Sequence, residues 1–455
     1  LTTGVEWNYR FYKSEHPDDY QHFSDTFDSL FQHHSEPATE DLLKEYALSY
    51  KKPKFVWVEE KTPPASQLPT PEPRGAQIEA LYYLKQARLE GVNKGIVVAA
   101  TGVGKTHLAA FDSIPFERVL FIAHRDEIVR QAYTVFESLR PTSRFGFYTG
   151  EHKDHGADIY FSTVQTLSRP ENLRVFPPEY FNYIIVDEFH HAPAESYRRV
   201  LAYFQPGFLL GLTATPFRMD NKDIFELCDD NVIYEISLKQ AIERDMLVPF
   251  RYYAIFDPTD YDKVEFINGR YVIEDLEREL SHSDRADLIL SHHQRLAGEK
   301  TLGFCVSIKH AEFMAQYFTN HGIKSAAVHS GVPGINGSTD RHKAVEMLKN
   351  GEIKVIFAVD IFNEGVDIPV VDTVMFLRPT ESYVVFLQQL GRGLRKYQDK
   401  DYLTVIDFIG NYKRAHYVPL ILAGENPWTS QKPVVRSPEE YNMPEGCIIN
   451  FDFRI

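Results

Sequence analysis

Residues Ile96-Val97-Val98-Ala99-Ala100 form a short, continuously apolar run that leads straight into Thr101-Gly102-Val103-Gly104-Lys105-Thr106. A run of that kind is a strand buried on both faces, as in a parallel sheet covered by helices. The glycines let backbone N–H groups approach phosphate oxygens, and a helix opening at Lys105 adds positive potential at its N-terminus. A strand–glycine loop–helix of this spacing binds nucleotide phosphate only inside a parallel α/β sheet, so it constrains the fold more than any other feature. Lys105 is expected to reach the β- and γ-phosphates, and Thr106 to ligate Mg²⁺. The usual first glycine of the loop is Ala99 here.

Apolar runs of strand length recur on both sides of the middle of the chain. After the loop come Val119-Leu120-Phe121-Ile122-Ala123, Ile159-Tyr160-Phe161-Ser162, Tyr183-Ile184-Ile185-Val186 and Phe208-Leu209-Leu210-Gly211-Leu212. A second set comprises Leu302-Gly303-Phe304-Cys305-Val306, Ser325-Ala326-Ala327-Val328, Val355-Ile356-Phe357-Ala358-Val359, Thr373-Val374-Met375-Phe376-Leu377 and Leu403-Thr404-Val405-Ile406. Helical patterns alternate with them, which predicts two α/β domains of one kind. Residues 59–73, rich in proline and polar side chains, read as an extended linker. Residues 1–58 form an acidic, aromatic segment too short for a sizeable core. The two domains are expected over 74–245 and 246–424, with a charged, weakly patterned bridge over 220–300 and a further extension over 425–455.

The formal net charge of the chain is −15, which argues against a surface coated in phosphate-binding charge. A local basic groove is compatible with it, because phosphate contacts are made only at the interface. Three widely spaced cysteines, Cys228, Cys305 and Cys447, form no CxxC pair, so a disulfide framework is not expected and a reducing cytoplasm fits. The pairs His33-His34, His190-His191 and His292-His293 lack metal-ligand spacing. No apolar run reaches the roughly 20 residues of a membrane span, and residues 1–5 lack the pattern of a signal peptide. The chain opens on Leu1 rather than Met, as expected of a fragment or a processed form.

Two further clusters carry charge suited to phosphoryl transfer. Asp187 and Glu188 follow the run Tyr183-Ile184-Ile185-Val186. Acids at the carboxyl end of a buried parallel strand face the crevice where such sheets bind ligands. Asp187 can hold Mg²⁺ through water, and Glu188 can orient and deprotonate an attacking water. Read alone, the pair also fits a strand end capped by solvated acids. Near the other end lies Gln388-Gln389-Leu390-Gly391-Arg392-Gly393-Leu394-Arg395. Arg392 and Arg395, three apart, would share one face of a helix. Aimed at a γ-phosphate from a second domain they would be arginine fingers, each kind worth on the order of 10³ to 10⁵ in rate. Read alone, the segment also fits a solvated basic helix.

Taken in order, these segments resemble the superfamily 2 helicases over 74–422. The loop resembles motif I, Asp187-Glu188-Phe189-His190 the DExH form of motif II, and Gln388 to Arg395 the QxxGRxxR of motif VI. Arg74-Gly75-Ala76-Gln77 resembles the upstream element whose Gln reads adenine. Arg125, in Ala123-His124-Arg125, and Thr163 and Gln165, in Thr163-Val164-Gln165-Thr166, match motifs Ia and Ib, which grip a nucleic-acid backbone. Thr213-Ala214-Thr215-Pro216 resembles motif III, so the resemblance makes His190, Thr213 and Thr215 coupling residues. Phe304-Cys305-Val306-Ser307 and Val328-His329-Ser330-Gly331 resemble motif IV and its follower, implying nucleic-acid contacts from Ser307, His329 and Ser330. The stretch 360–369 resembles motif V, with Gly365 and Asp367 implied at the ATP, beside Thr101, Gly102, Val103 and Gly104. Val359 stands where many relatives carry Thr, so one expected hydroxyl contact to the track is missing there.

The resemblance implies two tandem RecA-like domains of the P-loop NTPase kind, ATP and Mg²⁺ in the cleft between them, and nucleic acid, most of all DNA, as partner. Within the superfamily the core is similar to bacterial helicases fused to a phospholipase D-like nuclease domain, related to excision-repair and restriction-enzyme motors. Residues 1–11 are similar to the stretch after the second HxK motif of such a nuclease, so a nuclease domain upstream in a longer protein is expected, while this chain has no HxK pair of its own. Three readings stay open on the sequence: a DNA helicase or duplex translocase, an ATP-gated nucleic-acid-binding scaffold, and the motor part of a nuclease–helicase effector. Oligomeric state is not legible.

Overall fold

The computed structural model describes residues 71–214, 222–267, 270–329, 340–359, 368–379, 383–409, 417–424 and 441–452. The segment 1–58, most of the expected linker, and Thr215, Ser330, Gly365 and Asp367 lie outside the described residues.

The first sheet contains β1 (Lys94–Ala99), β2 (Val119–Ala123), β3 (Phe145–Tyr148), β4 (Ile159–Thr163), β5 (Tyr183–Val186), β6 (Phe208–Thr213) and β7 (Val232–Ile236). Its strands are all parallel, in the order β3-β4-β2-β5-β6-β1-β7. The chain then forms β8 (Phe250–Phe256) and a small antiparallel pair, β9 (Phe266–Ile267) with β10 (Arg270–Tyr271). The second sheet is built from β8 and from β11 (Thr301–Phe304), β12 (Ser325–Val328), β13 (Val355–Ala358), β14 (Thr373–Phe376), β15 (Leu403–Ile409) and β16 (Ile448–Phe451). It too is all parallel, in the order β12-β13-β11-β14-β15-β8-β16.

The two orders are the same. Counted within each sheet, the strands run third, fourth, second, fifth, sixth, first, seventh. The first strand of each set therefore enters between its own sixth and seventh. Two copies of one RecA-like architecture follow one another in the chain, as the two sets of apolar runs predict.

Alternate residues of each strand serve opposite layers, because successive side chains point to opposite faces. In β1, Val97 and Ala99 join one core and Ile96 and Val98 another. In β13, Ile356 and Ala358 face one way and Val355 and Phe357 the other. Helices cover both faces. The helix Asp126–Leu139 buries Ile128, Val129, Ala132 and Phe136, one stripe at helical spacing, with acids Asp126 and Glu127 in its first turn. Phe136 meets Phe121 of β2 and Phe161 of β4, with ring centroids 5.9 and 5.3 Å away.

Four sheet strands, β3, β7, β8 and β16, were not among the expected runs. The bridge over 220–300 contains β7 and β8, the one completing the first sheet and the other starting the second. Beyond the expected second domain, β16 pairs with β8 as the outer strand, with Ile448 opposite Arg251 and Phe451 opposite Ala254. Three of the four are sheet edges, buried on one face at most, so they lack the continuous apolar run that marks a central strand. Among the described residues no helix is long and apolar enough to cross a membrane.

Candidate active site

The loop after β1 takes the conformation its glycines permit. Gly102 (φ 101°) and Gly104 (φ 89°) both adopt left-handed backbone, and Gly104 caps the helix Lys105–Asp112. Ala99 is the last residue of β1, in ordinary extended backbone, so no glycine is required there. Its carbonyl accepts a 3.1 Å hydrogen bond from Lys105 Nζ. Lys105 is packed deep in the loop while one side stays open to the cleft. Burial pushes its pKa down, Glu188 and Asp187 pull it back up, and Arg392 and Arg395 press it lower again. The lysine thus feels acids from its own domain and guanidinium groups from the other. Thr106 stands in the first helical turn, partly exposed.

Gln77 braces this loop from the helix Ala76–Leu89. Its Nε2 donates to the carbonyls of Gly104 (3.2 Å) and Val103 (3.4 Å), and its Oε1 accepts from the Arg74 backbone N–H (3.0 Å). A Cβ on Gly104 would collide with Gln77 Nε2, a second reason for glycine there. Arg74 itself is exposed.

The acids after β5 are held by backbone as well as side chains. The Asp187 N–H donates to Ile122 O (2.9 Å), and Asp187 Oδ1 accepts from the Glu188 N–H (2.9 Å). Glu188 has φ 50°, a left-handed conformation that costs a non-glycine residue roughly 1 to 2 kcal/mol and recurs at working sites. His190 Nδ1 lies 3.2 Å from Glu188 Oε2 and 3.5 Å from Thr213 Oγ1, so the turn after β5 and the end of β6 meet on one imidazole. Burial raises the Glu188 pKa, but His190, by hydrogen bond and charge, then Lys105 and His191, reverse this and hold the carboxyl well below its usual range. Phe189 packs beneath: a Cβ on Gly211 of β6 would stand 2.7 Å from its ring.

Sequence reasoning missed two participants here. His124, just after β2, lies tilted against His191 with ring centroids 4.3 Å apart, and His191 lies 4.2 Å from His190. The three rings tie the end of β2 to the acids. The doubled His190-His191 is the available signal in the sequence, although its spacing suits no metal.

The second domain closes on the loop through the helix Tyr383–Gly393. A Cβ built on Gly391 would lie 2.5 Å from Thr101 Cγ2, and one built on Gly102 would lie 3.4 Å from Arg395 Cγ. Contrary to the expectation from their spacing, Arg392 and Arg395 do not share a helical face, because the helix ends at Gly393. Arg395 is extended and forms an antiparallel bridge with Leu247, next to a 2.9 Å hydrogen bond from the Val248 N–H to Leu394 O. The two guanidinium groups reach the neighbourhood of Lys105 from a helix end and from a strand-like segment. Gln388 is buried on the same helix.

Three of the residues expected to touch nucleic acid are turned inward. Thr163 is buried, and its hydroxyl donates to Thr166 Oγ1 (3.0 Å). Ser307 is buried as the cap of the helix Ile308–Asn320, its hydroxyl accepting from the His310 N–H (3.1 Å). The His329 side chain is covered and sits 3.3 Å from Glu312 Oε1. Gln165 and Arg125 do reach the surface. Gln165 Nε2 donates to His124 O (2.9 Å), and Arg125 lies beside Arg341 of the second domain. Burial lowers the Arg341 pKa, Glu127 raises it and Arg125 lowers it, marking a second place where the domains meet.

Two tandem RecA-like sheets, with a glycine loop and acids on one and an arginine pair from the other beside them, define the core architecture of superfamily 2 helicases. Residues 70–218 match the family model of the type III restriction enzyme res subunit, and residues 283–397 match that of the helicase conserved C-terminal domain. The chain is a superfamily 2 helicase core related to the motor subunits of restriction enzymes. It is 29% identical over 305 residues to IRC3 of Saccharomyces cerevisiae, named as an ATP-dependent helicase, covering 64% of this chain and 43% of that protein. It is 26% identical over 377 residues to the type I restriction enzyme EcoAI endonuclease subunit of Escherichia coli, covering 74% of this chain and 46% of that one. The chain thus spans less than half the length of these two relatives. In fold it resembles a fragment of a type I restriction enzyme HsdR subunit from Vibrio vulnificus, with TM-score 0.61, 24% identity, and coverage of 84% of this chain and 70% of that one.

Proposed function

We propose that this chain is an ATP-dependent motor that moves on nucleic acid, with DNA as its track. The observation that carries the reading is the seating of Gly391 and Arg395, from the second domain, against Thr101 and Gly102 of the phosphate loop. A nucleotide held by that loop would touch both domains, so its γ-phosphate would govern whether the cleft is closed.

The residues divide the work. The loop N–H groups at Gly102, Val103 and Gly104, with the N-terminus of the helix Lys105–Asp112, bind the phosphates, and Lys105 neutralises them. The donor set fits a magnesium-bound triphosphate: Thr106 and Asp187 would hold the ion, which supplies charge neutralisation across the phosphates. Glu188, held ionised, accepts a hydrogen bond from the attacking water and orients it. It can also take up the proton that the water loses, although positioning is what phosphoryl transfer chiefly needs. Arg392 and Arg395 would stabilise charge developing on the transferred group. His190 and Thr213 link the acids to β6, a route for nucleotide state to reach the rest of the domain. Gln77 serves the loop in addition to any contact with the base.

The likeness to restriction-enzyme subunits favours DNA over RNA. The decisive experiment measures ATP turnover with single- and double-stranded DNA and RNA. Turnover is expected to rise several-fold with DNA and to vanish in Lys105→Ala at an unchanged melting temperature. Wild-type turnover in Lys105→Ala would remove the site. An unstimulated rate on every polymer would leave an ATP-gated scaffold instead of a motor.

A further inference from the structure

The chain crosses from the first sheet to the second through residues that neither domain's motifs contain. After β7 it forms a short helix, Leu238–Glu243, started by a capping box between Ser237 and Gln240. It then turns at Asp245, whose φ is 55°, and runs through Met246, Leu247, Val248 and Pro249 into β8. This crossover is anchored on both sides. On the first domain, Arg244 Nη1 donates to both carboxylate oxygens of Glu79 (2.8 and 3.0 Å), which also accepts from the Tyr234 hydroxyl (2.8 Å). Met246 Cε sits 3.0 Å from where a Cβ on Gly75 would stand. On the second domain, Asp245 pairs with Lys396, Leu247 bridges to Arg395, and Val248 N–H donates to Leu394 O. Arg395 O in turn accepts from Lys400 Nζ (2.9 Å).

Leu247 stands at the centre of this arrangement. It is 1% exposed, and its Cδ2 lies 2.9 Å from the Cβ position of Gly102. Its backbone is paired with Arg395, whose Cγ is 3.4 Å from the same position. One side chain thus touches the phosphate loop while its own backbone fixes the residue expected to act on the γ-phosphate. Close-packed interiors transmit displacement rather than absorb it, so a shift of the loop moves Leu247 and with it Arg395.

We propose that Leu247 is a positioning residue for ATP hydrolysis: a spacer in the crossover that sets the distance from the phosphate loop to Arg395. This rests on the reading of the cleft as an ATPase site. Nucleotide binding itself depends on Lys105, Thr106 and the loop backbone, which Leu247 does not replace. Its loss is therefore expected in kcat and not in KM.

The test compares steady-state ATP hydrolysis in Leu247→Ala, Leu247→Ile, Arg395→Ala and the double variant Leu247→Ala/Arg395→Ala, with Lys105→Ala as control and melting curves throughout. Leu247→Ala is expected to lower kcat about tenfold or more, as a small misplacement of a reacting group can, with KM for ATP within about twofold. Leu247→Ile, which keeps the volume, is expected to recover most of the rate. In the Arg395→Ala background, removal of Leu247 is expected to cost nothing further, because both changes act through one group. Equal losses with and without Arg395, or a loss confined to KM, would overturn the proposal. So would wild-type kcat in Leu247→Ala when Lys105→Ala is inactive, and that result would leave the ATPase reading standing. Activity in Lys105→Ala would fell both. Should Leu247→Ala fail to fold, Leu247→Val, smaller by one methylene, carries the same comparison.

Discussion

Gly391 and Thr101, 290 positions apart in the chain, are in direct contact across the cleft. A Cβ on Gly391 would overlap the Thr101 side chain, coming within 2.5 Å of its Cγ2. Gly391→Ala therefore has to push the helix Tyr383–Gly393 off the phosphate loop. ATP turnover is expected to fall by about 10- to 100-fold, with the melting temperature changed by no more than a few degrees. Steady-state kinetics and a melting curve check this. Full activity in the variant would mean that the closed arrangement is not the hydrolytic one.

Glu188→Gln preserves shape but removes the charge that orients water. It is expected to lower kcat by about 10² to 10⁴ while ATP still binds, since Lys105 and the loop glycines are untouched. Nucleotide affinity measured by titration, set beside turnover, separates the two effects. A variant that hydrolyses ATP normally would show that another group holds the water.

Asp112 anchors the far end of the helix Lys105–Asp112 that follows the phosphate loop. It accepts two 2.7 Å hydrogen bonds from Arg88 and one of 2.7 Å from the Tyr183 hydroxyl. Its side chain is 2% exposed and that of Arg88 22%. Asp112→Ala strands a largely covered guanidinium, which is expected to cost roughly 2 to 4 kcal/mol, discounted for the solvent that Arg88 still sees. Denaturant unfolding gives the value. A loss under about 0.5 kcal/mol, the range of an ordinary surface change, would mean that the pair is not structural.

Asp407 of β15 makes the second domain sensitive to pH. Burial raises its pKa, the Tyr252 hydroxyl lowers it and the Asp257 charge raises it, leaving it at about 7. The unfolded value is about 4, so folding takes up a proton between these limits. Stability from this group declines as pH rises from about 4 to about 7 and is level above that. Asp407→Asn, whose amide oxygen can still accept from Tyr252, is expected to remove that decline and to gain most relative to wild type at pH 8. Unfolding at pH 5 and pH 8 checks the sign. A wild-type disadvantage that grows toward acid would refute it.

What the chain determined locally was the alphabet of the fold. The central strands Val119–Ala123, Tyr183–Val186 and Val355–Ala358 are buried on both faces, and that burial writes itself as an uninterrupted apolar run. The loop at Gly102–Lys105 and the acids at Asp187 and Glu188 were equally legible, because each lies within a few residues of the strand that positions it. The strands β7, β8 and β16 were not: they carry mixed faces, and their place comes from pairing, β7 with β1, β8 with β15 and β16 with β8. Thr163, Ser307 and His329 have the right side chains for a surface contact, and only packing decides that they face inward. The tertiary structure alone put Arg395 on an extended segment instead of a helix, and laid Leu247 between it and Gly102. Such contacts join residues some 150 to 290 positions apart, and no local period or propensity records a distance of that kind.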